Sequence, residues 1–237
     1  MEYATPNNNI RILCTRPLPE SMLDEALRLN IAIDVLPFIE TESILSVEVQ
    51  QEIEQAALQT ANVVFTSMNA VDAVTIFLDG QQPDWTIYTM GTATQRLVAD
   101  YFGGDVIAGT GNDAAALAET IVASEDVEEV IFFCGDIRRD ELPTVLRKNN
   151  IDVNEIVVYQ TIATPHRIAK FYHGILFFSP SAVESFFSKN KLAGSTVMFA
   201  IGNTTAAELK KYTDHKIIIS DEPGKDNLVN KMITYFT

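Results

Sequence analysis

Two kinds of hydroxyl-bearing segment occur twice in the chain, each where an apolar run gives way to a helical pattern. Residues 65–67 (Phe-Thr-Ser) return as 177–179 (Phe-Phe-Ser), and residues 91–94 (Gly-Thr-Ala-Thr) return as 202–205 (Gly-Asn-Thr-Thr). The number of residues between the first and the second copy is nearly the same for both kinds of segment. A loop between a buried strand and a helix offers backbone N–H groups and the positive end of the helix dipole to an anion. The four loops therefore predict a carboxylate or phosphate site.

Serine and threonine at these positions are also ordinary helix caps, and for any single residue capping is the simpler interpretation. The recurrence of the whole set favours binding, because we expect all four loops to face one cleft, at the strand ends where open α/β sheets place ligands. The candidate binding residues in these loops are Thr66, Ser67, Thr92, Thr94, Ser179, Ser181, Gly202, Thr204 and Thr205.

Three arginines follow two further matched runs, which end at Cys14 and Cys134. They are Arg16, Arg138 and Arg139. Arginine recognises carboxylates through two parallel hydrogen bonds, which makes these side chains candidate ligands for an acidic substrate. An ion pair with a nearby acidic residue explains each arginine equally well.

One glycine-rich segment resembles a dinucleotide-binding fingerprint. Residues 109–114 (Gly-Thr-Gly-Asn-Asp-Ala) follow a possible strand and open a helical pattern. The acidic residue that should follow comes late, at Asp136, and the corresponding loop of the other half lacks the pattern. We therefore expect a plain turn here, and keep a nucleotide-dependent transferase as an alternative.

Composition limits the partners. The chain has 237 residues and a formal net charge of −15, which argues against binding to nucleic acid or to an anionic membrane surface. No apolar stretch is long enough to span a bilayer, and residues 1–9 are polar and lack the features of a secretory signal, so we expect a cytoplasmic protein. The two cysteines predict two separate buried thiols, and no metal-binding or serine-nucleophile motif occurs.

Short apolar runs alternate with helical patterns along the chain, which predicts βα units and mainly parallel sheets covered by helices on both faces. The predicted strands are 10–14, 32–38, 62–66, 86–90, 105–108, 129–134, 153–161, 174–179, 196–201 and 216–220. The repeat continues in two turn-like segments, 29–31 and 149–151. Each half of the chain is thus expected to contain four βα units in the same order.

Two long strand-like stretches, 34–41 and 157–164, run into polar residues and not into a helix. We interpret them as connectors between two lobes that could pair with each other. The chain would leave a first domain (1–37 and 164–237) near the first connector, build a second domain (38–163) and return. The boundary of the repeat and the boundary of the domains then differ.

An ordered series of segments resembles the uroporphyrinogen-III synthase family. The series comprises 15–17 (Thr-Arg-Pro), 65–71 (Phe-Thr-Ser-Met-Asn-Ala-Val), Gly91 with Thr94, 135–142 (Gly-Asp-Ile-Arg-Arg-Asp-Glu-Leu), 158–161 (Val-Tyr-Gln-Thr), 178–183 (Phe-Ser-Pro-Ser-Ala-Val) and 201–206 (Ile-Gly-Asn-Thr-Thr-Ala). Each segment alone is a weak signal, and the order of all of them is specific. The resemblance covers nearly the whole chain.

The resemblance implies two doubly wound, flavodoxin-like or Rossmann-like α/β domains joined by a two-stranded antiparallel connector. It implies a lyase that dehydrates and cyclises hydroxymethylbilane with inversion of ring D, to give uroporphyrinogen III in heme biosynthesis, with no metal or organic cofactor. Tyr159 is then the candidate catalytic residue, assisting departure of the hydroxyl, and Arg16, Gly135 and Arg139 join the loop residues as substrate-binding candidates. We expect a monomer. A two-lobed binding module without catalysis is the alternative.

Overall fold

The structure is a computed structural model, and it describes residues 10–124, 126–192, 194–222 and 224–237. The predicted polar start of the chain, 1–9, lies outside the described residues. Contacts between Cα atoms divide the chain into two compact units. Unit 1 comprises the chain up to Glu40 and from Ile162 to Thr237, and unit 2 comprises Thr41–Thr161. The boundaries predicted for two domains, 37/38 and 163/164, lie close to this division, and the two domains themselves stay a prediction.

Strands and helices alternate through both units. Those of unit 1 are β1 (Ile10–Cys14), α1 (Glu20–Arg28), β2 (Ile31–Val35), β9 (Gly174–Phe177), α7 (Pro180–Lys189), β10 (Val197–Ala200), α8 (Asn203–Leu209), β11 (Ile217–Ile219) and α9 (Lys225–Phe236). Those of unit 2 are α2 (Val47–Ala57), β4 (Ala61–Phe65), α3 (Met68–Leu78), β5 (Trp85–Met90), α4 (Thr92–Phe102), β6 (Ile107–Gly111), α5 (Ala114–Val122), β7 (Glu129–Gly135) and α6 (Glu141–Lys148). Two further strands, β3 (Ile39–Ser43) and β8 (Asp152–Ala163), cross the boundaries.

In the described ranges, the strands of each unit form a single sheet. The sheet of unit 1 has the order β11-β10-β9-β1-β2, and these pairs are parallel. The other sheet has the order β3-β8-β7-β4-β5-β6, and its pairs from β8 to β6 are parallel. The strand order reverses between β1 and β9 in one sheet and between β4 and β7 in the other. Both sheets are therefore doubly wound, as predicted, and each has a switch point where such sheets bind ligands.

The internal repeat accounts for the shared strand order. In the repeat, β1 corresponds to β7 and β2 corresponds to β8. The strands β4, β5 and β6 correspond to β9, β10 and β11 in that order. Exchanging each strand for its counterpart converts the order β11-β10-β9-β1-β2 into β6-β5-β4-β7-β8, which is the parallel part of the second sheet. The first strands of each half of the chain thus lie with the last three strands of the other half.

The connectors form an antiparallel pair. The backbone N–H of Ile44 donates to the carbonyl of Val158, and that of Thr164 donates to the carbonyl of Phe38, both at 2.9 Å. Because the partner number falls as the residue number rises, β3 and β8 run in opposite directions. The predicted continuous strands over 32–38 and 34–41 are wrong in detail: β2 ends at Val35 and β3 begins at Ile39, since Pro37 has no N–H to donate.

Helices cover both faces of each sheet, and a separate apolar cluster fills each face. In unit 2, Phe65 and Phe133 lie on the face covered by α2, α3 and α4, whereas Val64 and Leu117 lie on the face covered by α5 and α6. The only tryptophan of the chain, Trp85, belongs to the first of these clusters and donates its indole N–H to the carbonyl of Ala56 at 3.0 Å. The near-continuous apolar strands reflect burial on both sides.

The turns repeat as well. Asn30 follows α1 and Asn150 follows α6, and both adopt a φ of 61°. Asparagine tolerates this left-handed conformation better than most residues, so the matched sequence at 29–31 and 149–151 encodes the same chain reversal twice.

Both cysteines are buried free thiols, as predicted. Burial raises the pKa of Cys14 to about 12 and that of Cys134 to about 11. One thiol lies in each unit.

A polar contact joins β2 to the segment before β9 in unit 1. The Asp34 carboxylate accepts a hydrogen bond from the Tyr172 hydroxyl at 2.7 Å and forms an ion pair with Lys170 at 3.2 Å. Partial burial alone raises the pKa of Asp34, but these two donors outweigh it, and the pKa lies below its usual value.

Candidate active site

The predicted binding loops lie at the carboxyl ends of strands that are neighbours in each sheet. In unit 1, the loops follow β1, β9 and β10, and in unit 2 they follow β7, β4 and β5. Each set therefore includes the switch point of its sheet, where helices leave on opposite faces and a crevice opens between the loops. The loops that the sequence predicts as ligand sites therefore lie at the carboxyl ends of the strands in each sheet.

In unit 1, the Ser179 hydroxyl accepts a hydrogen bond from the backbone N–H of Ala182 at 3.2 Å and caps α7. The guanidinium carbon of Arg16 lies 5.5 Å from the centre of the Phe178 ring, which precedes Ser179. Stacking on an aromatic face leaves the hydrogen-bonding edge of a guanidinium available. The Arg16 side chain is exposed, and no ion pair with Glu20 is found in the described part of the chain.

In unit 2, the Ser67 hydroxyl accepts a hydrogen bond from the backbone N–H of Asn69 at 3.2 Å and caps α3. The loop after β5 differs from its repeat. Gly91 has a φ of 74°, whereas Gly202 has a φ of −173°, which any residue adopts. A glycine is therefore required by the backbone at 91 but not at 202.

Four of the five predicted threonines lie at the starts of α4 and α8, and they differ in exposure. Thr92 and Thr204, near the starts of α4 and α8, are exposed, whereas Thr94 is 6% and Thr205 is 1% exposed. The exposed pair lies at the surface, and the buried pair sits in the packed first turn of each helix. Binding of substrate by any of the four stays a prediction, as it does for Thr66 and Ser181, which are half-buried beside the capping serines.

The two neighbouring arginines after β7 have different surroundings. Arg138 forms ion pairs with Glu155 and, at 3.1 Å, with Asp140, and Glu155 also binds Arg147 at 2.8 Å. For Arg138 the ion-pair interpretation is therefore the correct one. Arg139 is exposed, and its role in binding substrate stays a prediction.

Tyr159 lies on β8 and is half-buried. It lines a pocket of about 160 Å³ with Asn69 and Asp72 of α3 and with Thr41, Glu42 and Ser43 of the connector. The tyrosine ring packs on Gly135 at the end of β7, since a Cβ added to that glycine would lie 2.5 Å from the Tyr159 Cζ. Within the described part of the chain, no hydrogen bond of the Tyr159 hydroxyl is found. The hydroxyl is therefore available to a ligand in the pocket.

Three residues in or next to the pocket escape sequence reasoning. Asp136 binds the backbone of β8 at Tyr159 and just after it: its N–H donates to the Tyr159 carbonyl at 3.1 Å, and its carboxylate accepts from the N–H of Thr161 at 2.9 Å. Thr41 and Ser43 reach the pocket because β3 pairs with β8. The position of Asp136 directly after Gly135 was the available signal, whereas the two hydroxyls of β3 depend on long-range pairing.

The glycine-rich segment at 109–111 is not a turn. These residues form the end of β6, and the expectation of a turn was wrong. A Cβ at Gly109 would lie 2.6 Å from Thr120 Cγ2, and one at Gly111 would lie 2.6 Å from Leu117 Cα. The two glycines therefore allow α5 to pack closely on the strand, which explains the motif without a nucleotide.

Solved structures confirm the fold. The chain superposes on uroporphyrinogen-III synthetase from Helicobacter pylori 26695 with a TM-score of 0.69 and 16% identity, over 95% of this chain and 99% of that one. It superposes on a mutant uroporphyrinogen III synthase from the extremely thermophilic bacterium Thermus thermophilus with a TM-score of 0.65 and 14% identity, over 96% and 97% of the two chains. No helix in the described ranges is long and apolar enough to cross a membrane.

The fold and its loops define a two-unit, doubly wound α/β protein with hydroxyl-bearing loops at the carboxyl ends of its parallel strands. The family model described as uroporphyrinogen-III synthase HemD matches residues 23–230. The chain belongs to the uroporphyrinogen-III synthase family, as its ordered motifs predicted. It is 30% identical over 182 residues to the uroporphyrinogen-III synthase of Saccharomyces cerevisiae, a match that spans 63% of this chain and 64% of the yeast protein.

Proposed function

We propose that the protein is a uroporphyrinogen-III synthase, a lyase that converts hydroxymethylbilane to uroporphyrinogen III. The reaction removes the terminal hydroxyl of the linear tetrapyrrole as water and closes the ring through the substituted carbon of ring D. Family membership supports this proposal. The single structural observation in its favour is the Tyr159 side chain, whose hydroxyl has no hydrogen-bond partner in the described residues and which lines a polar pocket beside the ligand loops.

Loss of the hydroxyl needs limited help from the protein, because a pyrrole nitrogen expels the leaving group and forms an azafulvene. A phenol hydroxyl donates a hydrogen bond to the departing oxygen. Tyr159 would have this role. The remaining task is to hold a flexible chain so that ring D reacts at its substituted carbon, giving a spiro intermediate, and not at its free position.

The substrate carries eight carboxylates, whereas the protein has a net charge of −15. Long-range attraction therefore contributes nothing to binding. Short-range donors answer this difficulty: the first turns of α3, α4 and α7 offer backbone N–H groups, and Arg16 and Arg139 add two guanidinium groups. Thr66, Ser67, Thr92, Thr94, Gly135, Ser179, Ser181, Gly202, Thr204 and Thr205 are proposed to supply the other contacts.

The test supplies enzymatically generated hydroxymethylbilane and separates the uroporphyrin isomers after oxidation. Formation of the type III isomer supports the proposal, whereas formation of the spontaneous type I isomer alone refutes it. Binding of the substrate without type III product would identify a binding module in place of an enzyme.

Tyr159→Phe tests the proposed role of the phenol. We expect the turnover number to fall about tenfold, because one hydrogen bond to a departing anionic oxygen is worth about 1.5 kcal/mol. Tyr101→Phe is the matched control, since Tyr101 is an exposed tyrosine of the same unit that does not line the pocket. Unchanged turnover in a folded Tyr159→Phe protein would show that another group assists departure of the hydroxyl, and complete loss of type III product would show that the phenol does more than donate one hydrogen bond.

We also propose that the enzyme is a cytoplasmic monomer that acts without a cofactor, as the sequence predicts. Sedimentation equilibrium measures the mass of the native protein, and fractionation of source cells measures its location. Full activity of protein treated with a chelator and exhaustively dialysed would support the absence of a cofactor. A loss of activity that added metal restores would contradict it.

A further inference from the structure

The packing around Tyr159 assigns a role to two residues that precede it in the chain. Gly135 is the last residue of β7 and is buried, and Asp136 follows it on the surface. Both contact Tyr159 or its neighbours in β8. We propose that these two residues position the Tyr159 phenol, so that its hydroxyl lies in the pocket. This inference rests on the proposed function only for its effect on turnover.

The first observation is a change of register between β7 and β8. Cys134 pairs with Val157, but Gly135 pairs with Tyr159, so one residue of β8 is left over at this point. Such a β-bulge redirects the side chains that follow it. Ile156 and Val158 belong to the apolar cluster beneath α2, α3 and α4, and strict alternation would send Tyr159 to the opposite face. Tyr159 nevertheless packs against the same cluster, as the bulge allows.

The second observation is the lack of room for any side chain at position 135. A Cβ there would lie 2.5 Å from Cζ and 2.8 Å from the hydroxyl oxygen of Tyr159. Ordinary carbon–carbon contacts begin near 3.5 Å, so the ring would have to withdraw by about 1 Å. The atoms in the way belong to the free end of a side chain. An alanine at this position is therefore expected to move the phenol without unfolding the sheet.

The third observation is the pair of hydrogen bonds that Asp136 makes to the backbone of β8. Its N–H donates to the Tyr159 carbonyl, and its Oδ1 accepts from the N–H of Thr161. Oδ1 also accepts from the N–H of Ile137 at 2.8 Å, which fixes the side chain. The backbone of β8 from the Tyr159 carbonyl to the N–H of Thr161 is thereby held to the end of β7.

Gly135→Ala tests the inference through catalysis. We expect the turnover number to fall about tenfold, because misplacement of a reacting group by about 1 Å has effects of up to about a hundredfold. In a Tyr159→Phe background the same alanine should change turnover by less than about twofold, since the hydroxyl that it displaces is already gone. An equal loss in both backgrounds would overturn the inference.

Gly104→Ala is the matched control for the added methyl group. Gly104 lies in the same unit, and a Cβ there meets nothing within 4 Å. We expect turnover of this variant to equal that of the wild type. A loss as large as that of Gly135→Ala would show a general effect of the substitution and would contradict positioning.

Asp136 provides an independent pair of variants in case Gly135→Ala does not fold. Asp136→Asn keeps the Oδ1 acceptor and should retain turnover, whereas Asp136→Ala should lower it several-fold. Equal activity of Asp136→Ala and the wild type would contradict a positioning role.

A readout without substrate separates this inference from the proposed function. The protein is labelled with 3-fluorotyrosine, and the fluorine resonance of Tyr159 is identified as the one missing from Tyr159→Phe. That resonance should shift in Gly135→Ala and Asp136→Ala and stay unchanged in Gly104→Ala and Asp136→Asn. An unshifted resonance in Gly135→Ala refutes positioning, whatever the wild-type product is. A wild type that forms only the type I isomer refutes the proposed function and leaves the fluorine result standing.

Discussion

Replacing Gly111 by alanine should destabilise unit 2 strongly. Gly111 ends β6 beneath α5, and a Cβ there would lie 2.6 Å from Cα and 2.7 Å from Cβ of Leu117. Leu117 is fully buried, and the nearest atoms belong to the helix backbone, so no side-chain rotation relieves the clash. The helix would have to move away from the strand by about 1 Å. Overpacking of this kind costs about 1–3 kcal/mol, and the rigid obstacle places Gly111→Ala near 3 kcal/mol.

Trp85 makes this loss measurable in unit 2 alone. It is the only tryptophan of the chain, is 4% exposed and lies in a core cluster of that unit, so its fluorescence reports the unfolding of unit 2. With a urea dependence of about 2 kcal/mol per molar, a loss of 3 kcal/mol lowers the midpoint by about 1.5 M.

Gly104→Ala again provides the comparison, because its added methyl group meets open space. We expect its free energy of unfolding to lie within about 0.5 kcal/mol of that of the wild type. If Gly111→Ala unfolds at the same urea concentration as Gly104→Ala, close packing of α5 does not explain the glycines of β6, and the segment needs another interpretation.

Three further outcomes are expected. Ser67→Ala and Ser46→Ala each remove a helix cap and should lower the free energy of unfolding in urea by about 1 kcal/mol. Only Ser67→Ala should raise KM. Equal KM values for the two variants would show that Ser67 does not bind substrate. The two buried thiols should resist a thiol reagent at pH 8 in the native protein and react on unfolding, with the variants Cys14→Ser and Cys134→Ser assigning each reaction to its unit; rapid labelling of the native protein would contradict their burial. The pKa of Asp34 is lowered in the folded protein, so its contribution to stability is complete above the unfolded pKa of about 4 and is lost as the pH falls through the folded pKa. Asp34→Asn should therefore make the free energy of unfolding fall less steeply in acid, as measured by circular dichroism. An acid profile equal to that of the wild type would contradict this.

Much of the fold could be predicted because apolar periodicity is a local signal of helices and strands. The repeat required only the recognition of matched segments such as 29–31 and 149–151. The boundary of β2 was missed because Pro37 interrupts hydrogen bonding inside a continuous apolar pattern. The glycines of β6 were misjudged because a strand glycine and a turn glycine look alike until the overlying helix is known.

The site could be predicted only as far as its local chemistry. Ser67 and Ser179 were identified as possible caps, and they are caps. Arg138 could equally have been a ligand or an ion-pair partner, because Glu155 lies in another strand and no spacing rule brings the two together. The direction of the Tyr159 side chain was not predictable, since it depends on a bulge between two strands.

The interior position of β1 in its sheet, between β2 and β9, has a consequence for synthesis. Its neighbours are β2, which follows at once, and β9, which begins at Gly174 after the whole of unit 2. At about 5–20 residues per second, the ribosome needs roughly 7–28 s to make the chain between the end of β2 and the start of β9. During that time one edge of β1 has no neighbouring strand, although Ile12, Leu13 and Cys14 are completely buried in the finished protein.

Unit 2 has all its strands before β9 leaves the ribosome, so it can fold while unit 1 waits for its remaining strands. We expect the nascent β1-α1-β2 segment to be open to wrong pairing during this time. A ribosome stalled near residue 200 should carry a protease-resistant unit 2 and a cleavable N-terminal segment.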